Sequence, residues 1–86
     1  MKFRRKNTAV EAWYYNGDIG TVFASAPHWV VATTSIVFID KLVCRTAMGA
    51  ADAPGPCWLI KEPLGDGCYP CPIETFELNY EPMHEA

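Results

Sequence analysis

The residues of this 86-residue chain with the most distinctive chemistry are four cysteines: Cys44, Cys57, Cys68 and Cys71. Cys68 and Cys71 enclose Tyr69-Pro70 in a C-x-x-C spacing. In a thioredoxin-like site such a pair sits at a helix N-terminus after a strand, where the first thiol's pKa falls. Here Pro70 lies between the cysteines and a short helix is expected next, but the βαβ frame of that fold is missing. Four thiolates can also make a tetrahedral zinc site. A strong zinc pattern has two close pairs; this chain has one, so Cys44 and Cys57 would have to converge from separate strands. His28 and His84 add no supporting spacing. A redox or structural-zinc protein using Cys68 and Cys71 is therefore the second reading. The first is that the cysteines are small buried hydrophobes, with no metal or cofactor.

The other chemistries are weaker still. Nucleophilic catalysis needs a Ser or Cys with a His base and a group to orient it, and neither His28 nor His84 stands in such a motif. No glycine-rich phosphate loop is present. Glu74, Glu77 and Glu81 recur at spacings of three and four, which on a helix is one exposed face rather than a cleft. No catalytic residue is assigned, and the expectation is that the protein is not an enzyme.

Charge is unevenly placed. The net charge is −3, yet Lys2, Arg4, Arg5 and Lys6 are four of the seven basic residues. From Asn7 onward three basic residues face ten acids, leaving −7. From Glu62 to Ala86 there are six acids and no Lys or Arg. Such a body repels phosphates, which argues against direct nucleic-acid binding, and it suits a basic partner. The basic N-terminus reads as a solvated first strand. No run of about eighteen apolar residues exists, so no membrane span is expected. The N-terminus has no apolar signal-peptide core. A reducing cytoplasm is the expected location, with the cysteines as thiols.

Periodicity supplies the elements that would position these groups. Half of the residues are apolar, enough for one small domain over residues 1–86. Thr8 to Tyr15 reads as a central strand, with Val10, Ala12 and Tyr14 on one face and Trp13 and Tyr15 on the other. Asn16-Gly17 ends it as a turn, and Asp18 is a good N-cap. Ile19, Val22, Phe23 and Ala26 have the spacing of one helix face, which Pro27 stops. Trp29 to Ala32 carries no assignment. Strands are expected near Ser35 to Ile39, over Leu42 to Thr46 and over Cys57 to Lys61. Ala47 to Pro56 reads as a loop, and Pro63 to Gly67 as a turn into a return strand from Cys68. Ile73 to Leu78 reads as one or two helical turns and Tyr80 to Met83 as a short edge strand.

These elements predict an α+β fold: one antiparallel sheet of four to six strands with one short helix on a face. The expected core is Val10, Ala12, Tyr14, Ile19, Val22, Phe23, Val37, Ile39, Leu42, Trp58, Ile60, Tyr69 and Phe76.

Two blocks carry a resemblance. Met1 to Lys6, with Val10-Glu11-Ala12 and Trp13 to Gly17, is similar to the start of a family of small bacteriophage and prophage proteins of unassigned function. Trp58 to Lys61, the turn at Gly65, Tyr69-Pro70-Cys71, Phe76 and Tyr80-Glu81-Pro82 resemble that family's C-terminal block in order and spacing. The two blocks cover about half of the chain. The chain departs from the family at Pro54-Gly55-Pro56, where the family usually shows Pro-Gly-Asp, and near Pro72 and Leu78, where the family carries lysines. The resemblance implies a phage or mobile-element origin and expression inside a bacterium. It implies no known chemistry.

A small acidic phage protein without catalytic residues has its surface as its instrument. The functional expectation is a non-enzymatic inhibitor of a host defence complex, of the anti-CRISPR or anti-restriction type. Its partner would be a protein or protein–nucleic-acid complex with a basic surface, met by an acidic, DNA-mimicking face. Asp66, Glu74, Glu77 and Glu81 are the expected contacts, with Trp13 and Trp29 as an aromatic alternative. The composition leaves a homodimer open.

Overall fold

A computed structural model of the chain describes residues 2–5, 8–38, 41–62 and 66–82, with the backbone alone at 2–5, 8, 9 and 82. Along it run β1 (Lys2–Arg5), β2 (Thr8–Tyr15), α1 (Ile19–Ser25), α2 (His28–Thr33), β3 (Thr34–Val37), β4 (Lys41–Thr46), β5 (Gly49–Ala53), β6 (Cys57–Lys61), β7 (Cys68–Cys71), α3 (Ile73–Asn79) and β8 (Glu81–Pro82). The fold is α+β, as the pattern predicts. All described pairings are antiparallel. They form two sheets where one was expected: a five-stranded sheet of order β7-β6-β2-β1-β8 and a three-stranded sheet β3-β4-β5.

β2 is central, as its two apolar faces require. Its first half, Thr8 to Glu11, pairs with β1, and its second half, Ala12 to Tyr15, pairs with β6. Side chains alternate across a strand, so β2 and β6 feed two separate cores. On one face Val10, Ala12, Ile60 and Cys71 are buried with Phe76 of α3. On the other face Tyr15, Cys57, Leu59 and Cys68 are buried with Val22 of α1, Val30 of α2, and Leu42, Cys44 and Ala53 of the second sheet. The five-stranded sheet is thus a middle layer. A strand covered on both faces reads as a continuous apolar run, which is why β6 is Cys-Trp-Leu-Ile before Lys61.

Several expectations need correction. Tyr14 lies on the face expected, against Trp58 at 5.4 Å, but remains 42% exposed; Tyr15 on the opposite face is the buried tyrosine, at 2%. Phe23 is 77% exposed. Asp18 caps α1 as predicted, its Oδ1 accepting from Gly20 N at 2.9 Å, and Val22 is buried, with Ile19 and Ala26 packed on the core. At 100° per residue the buried stripe centres between Val22 and Ile19, and Phe23 falls off its side. The stretch Trp29 to Ala32 is helical, within α2. Pro27 ends α1 and stands at the N-cap of α2, which buries Val30 and Thr33 three residues apart.

Ala47 to Pro56 is not all loop: Gly49–Ala53 is β5. A two-residue turn at Ala47-Met48 joins it to β4, with Thr46 Oγ1 donating to Gly49 O at 2.6 Å and accepting from Met48 N at 3.1 Å. Its alanines have little β preference; the β4 ladder and the burial of Ala53 hold them. Ile39, residues 63–65 of the expected turn, and Met83 lie outside the described residues. Across that turn Glu62 N donates to Gly67 O at 3.0 Å. No helix of the described residues is long and apolar enough to cross a membrane.

Candidate functional site

α3 carries the exposed acids on a short helix. Its N-cap is Pro72, Glu74 lies in its first turn where the helix dipole favours a carboxylate, and Tyr80 ends it in extended conformation. Phe76 is its anchor. The ring stacks on Trp58 at 4.3 Å and on Tyr80 at 4.8 Å, and the Tyr69 and Tyr80 hydroxyls meet at 3.2 Å. With Phe76 turned inward, Glu74, Glu77 and Leu78 form an outward ridge, and Leu78 is 85% exposed. Leu78, two residues from the buried Phe76, falls on the opposite side of the helix from the core.

The helix does not reach Glu81, so the three glutamates do not form one helical stripe. Glu81 lies in β8 and pairs in register with Arg4 of β1, a basic position opposite an acidic one. Asp66 is exposed before β7, whereas α3 begins after it, so strand length separates Asp66 from the ridge. Arg45 Nη2 donates to the Asp66 carbonyl oxygen at 3.1 Å, which brings a positive charge beside that acid. Other acids have structural partners. Asp18 caps α1, Glu62 Oε1 accepts from Ala47 N at 2.8 Å, and Asp52 pairs with Lys41 at 3.0 Å.

Trp13 and Trp29 are half-buried and pack on the core that α1, α2 and the second sheet cover; Trp13 also stacks on Tyr15 at 6.3 Å. They belong to the opposite side of the middle layer from α3. The structure therefore brings Glu74 and Glu77 together, with Leu78, and leaves Asp66, Glu81 and the tryptophans elsewhere.

The cysteines are all free and buried. β7 is extended, and positions three apart on a strand face opposite ways about 10 Å apart. Cys68 accordingly joins one core and Cys71 the other, and C-x-x-C does not bring its thiols together. Cys68 instead meets Cys44, whose S–H it accepts. That contact holds Cys68 at a pKa of about 7, against the opposing effect of burial, and the same contact with burial drives Cys44 far above its ordinary value. Burial also raises Cys57 and Tyr15. Among the described residues no group of three or more His, Cys, Asp or Glu side chains is placed to hold a metal ion. His28 is exposed at the start of α2, and His84 lies outside the described residues.

Two surface depressions had no signal in the sequence, because their linings come from distant segments. One, of about 210 Å³, is lined by Arg45, Thr46, Ala47, Glu62, Asp66 and Gly67. The other, of about 250 Å³, is apolar and lined by Pro54, Pro56, Cys57, Pro70 and Pro72. No family model, no curated protein and no solved structure matches this chain.

Proposed function

We propose that the protein acts by binding: the α3 ridge docks on a basic surface of a bacterial protein or protein–nucleic-acid complex and keeps that surface from its own ligand. A host defence assembly that handles nucleic acid is the partner class this chemistry suits, since its channels are lined by Lys and Arg. The observation that carries the reading is the exposed pair Glu74 and Glu77 beside Leu78, in a chain segment that has no Lys or Arg from residue 62 onward. Like charges at this spacing cost a helix a few tenths of a kcal/mol. Long-range attraction to a basic partner would offset that cost and speed encounter.

The test compares the wild-type protein with Glu74→Lys/Glu77→Lys as bait in bacterial lysate, followed by binding kinetics on the partner recovered. The expected result is a nucleic-acid-handling partner held by the wild type and lost by the reversal, with an association rate that falls as salt rises from about 50 to 300 mM. A partner that binds both proteins at the same rate at both salts would remove the α3 reading, and the half-buried Trp13 and Trp29 side would be examined next.

A further inference from the structure

Four buried thiols in one small chain raise the question of which of them can join. Strand geometry and the division into two cores eliminate three of the six pairs. Cys68 and Cys71 point to opposite faces of β7. In the β6–β7 ladder Cys68 pairs with Lys61, four residues along β6 from Cys57, which sets Cys57 about 13 Å away. A disulfide needs Cα atoms within about 7 Å. Cys57 and Cys71 lie in different cores.

Cys44 and Cys68 differ from all of these. Each has no exposed surface, and both sit in the same core. Their neighbours Arg45 and Gly67 meet so closely that a Cβ on Gly67 would run into the Arg45 carbonyl oxygen. Cys44 directly precedes Arg45 and Cys68 directly follows Gly67, so this close approach of β4 to β7 keeps the two cysteines near each other. Their thiols then meet inside, where Cys68 Sγ also donates to Thr33 O at 3.9 Å.

We propose that Cys44 and Cys68 are a disulfide-forming pair, joined when the folded protein meets a hydroperoxide, and that the bond staples the second sheet to the middle layer. The step balances with the oxidant alone. The Cys68 thiolate attacks one peroxide oxygen and becomes a sulfenic acid as the O–O bond breaks, releasing hydroxide. The Cys44 sulfur then attacks the Cys68 sulfur, and the sulfenic oxygen leaves as water with the remaining proton. Two thiols and one hydrogen peroxide become one disulfide and two waters. Two features favour this order. Cys68 is the more acidic thiol, and Cys44 already lends it an S–H, which outweighs the opposing effects of burial and of the Glu62 charge. The Arg45-lined depression adjoins Gly67, and a hydroperoxide is small enough to enter from there during local opening.

The experiment treats the full chain, folded in neutral buffer, with hydrogen peroxide, and follows it by intact mass and tryptic mapping. The expected product has lost two hydrogen atoms, and the peptide of residues 42–45 is linked to the peptide of residues 62–86, with fragment ions placing the bond on Cys68. The thermal midpoint of the oxidised protein should rise by several degrees and return on reduction with dithiothreitol. A Cys57→Ala/Cys71→Ala variant, which leaves the pair intact, should lose the same two hydrogens. Any of three results overturns the proposal: no loss of two hydrogens from the folded wild type, a bond placed on Cys57 or Cys71, or oxygen addition at Cys57 or Cys71 while Cys44 and Cys68 remain thiols.

Discussion

Cys44, Cys68 and their neighbours concentrate the demands that single residues make on this fold. Gly67 is required by close approach, since any side chain there meets the Arg45 carbonyl. Gly67→Ala should cost about 1–3 kcal/mol, as overpacking does, measured as a lowered urea midpoint. Gly55 carries a second such demand: it has φ of 42°, and a Cβ would press on Gly17 and the Tyr15 ring. The titrating groups set the pH profile. Cys44, Cys57 and Tyr15 are raised when folded, so the stability they give is full below their ordinary values, 9.0 for the thiols and 10.0 for Tyr15, and is lost as pH climbs past them. Cys68 works the other way. Its folded value of about 7 lies below 9.0, so it adds stability as pH rises between the two. The urea midpoint, followed by tryptophan fluorescence, should hold or rise between about pH 7 and 9 and then fall steadily. A midpoint that keeps rising above pH 10 would contradict these assignments.

At the level of elements, the short helices are held by single anchors. α1 and α3 have seven residues each, too few to persist alone, so packing decides them. Val22→Ala removes a buried anchor and should cost about 2 kcal/mol, whereas Phe23→Ala should change stability by less than about 0.5 kcal/mol. That order reverses the expectation from side-chain size. On α3 the stack of Phe76 between Trp58 and Tyr80 predicts a loss of about 3–5 kcal/mol for Phe76→Ala and almost none for Leu78→Ala. Chemical denaturation of the four variants checks both contrasts. If Leu78→Ala leaves stability unchanged but weakens binding, Leu78 belongs to the contact surface.

The whole molecule is three layers sharing one sheet. Both cores rest on β2, β6 and β7, so neither outer layer can leave without uncovering buried strand side chains. Unfolding should therefore be a single transition, with tryptophan fluorescence and far-ultraviolet circular dichroism giving the same midpoint. A separate early transition in fluorescence would show that the layers unfold independently. The charge pattern also belongs to this scale. Among the described acids, Asp18, Asp52 and Glu62 have structural partners and the basic N-terminal strand lies beside β8, while Glu74 and Glu77 stand exposed on α3.

Local physics made much of this legible in the chain itself. Aromatic and β-branched residues marked β2, a short apolar run marked β6, Asp18 and Pro27 bounded α1, and the absence of Lys and Arg after Lys61 marked the acidic end. Those signals arise within a few residues and need no partner. Tertiary structure decided what they could not reach. Gly49 to Ala53 is a strand because β4 lies beside it, Phe23 is outside because the core meets the other side of α1, and Glu81 leaves the acidic stripe because Tyr80 ends the helix. The cysteines show the division most plainly. Their number and the C-x-x-C spacing stand in the sequence, which points to Cys68 with Cys71. An extended strand turns neighbours three apart to opposite faces, and a contact between segments more than twenty residues apart gives Cys68 to Cys44 instead.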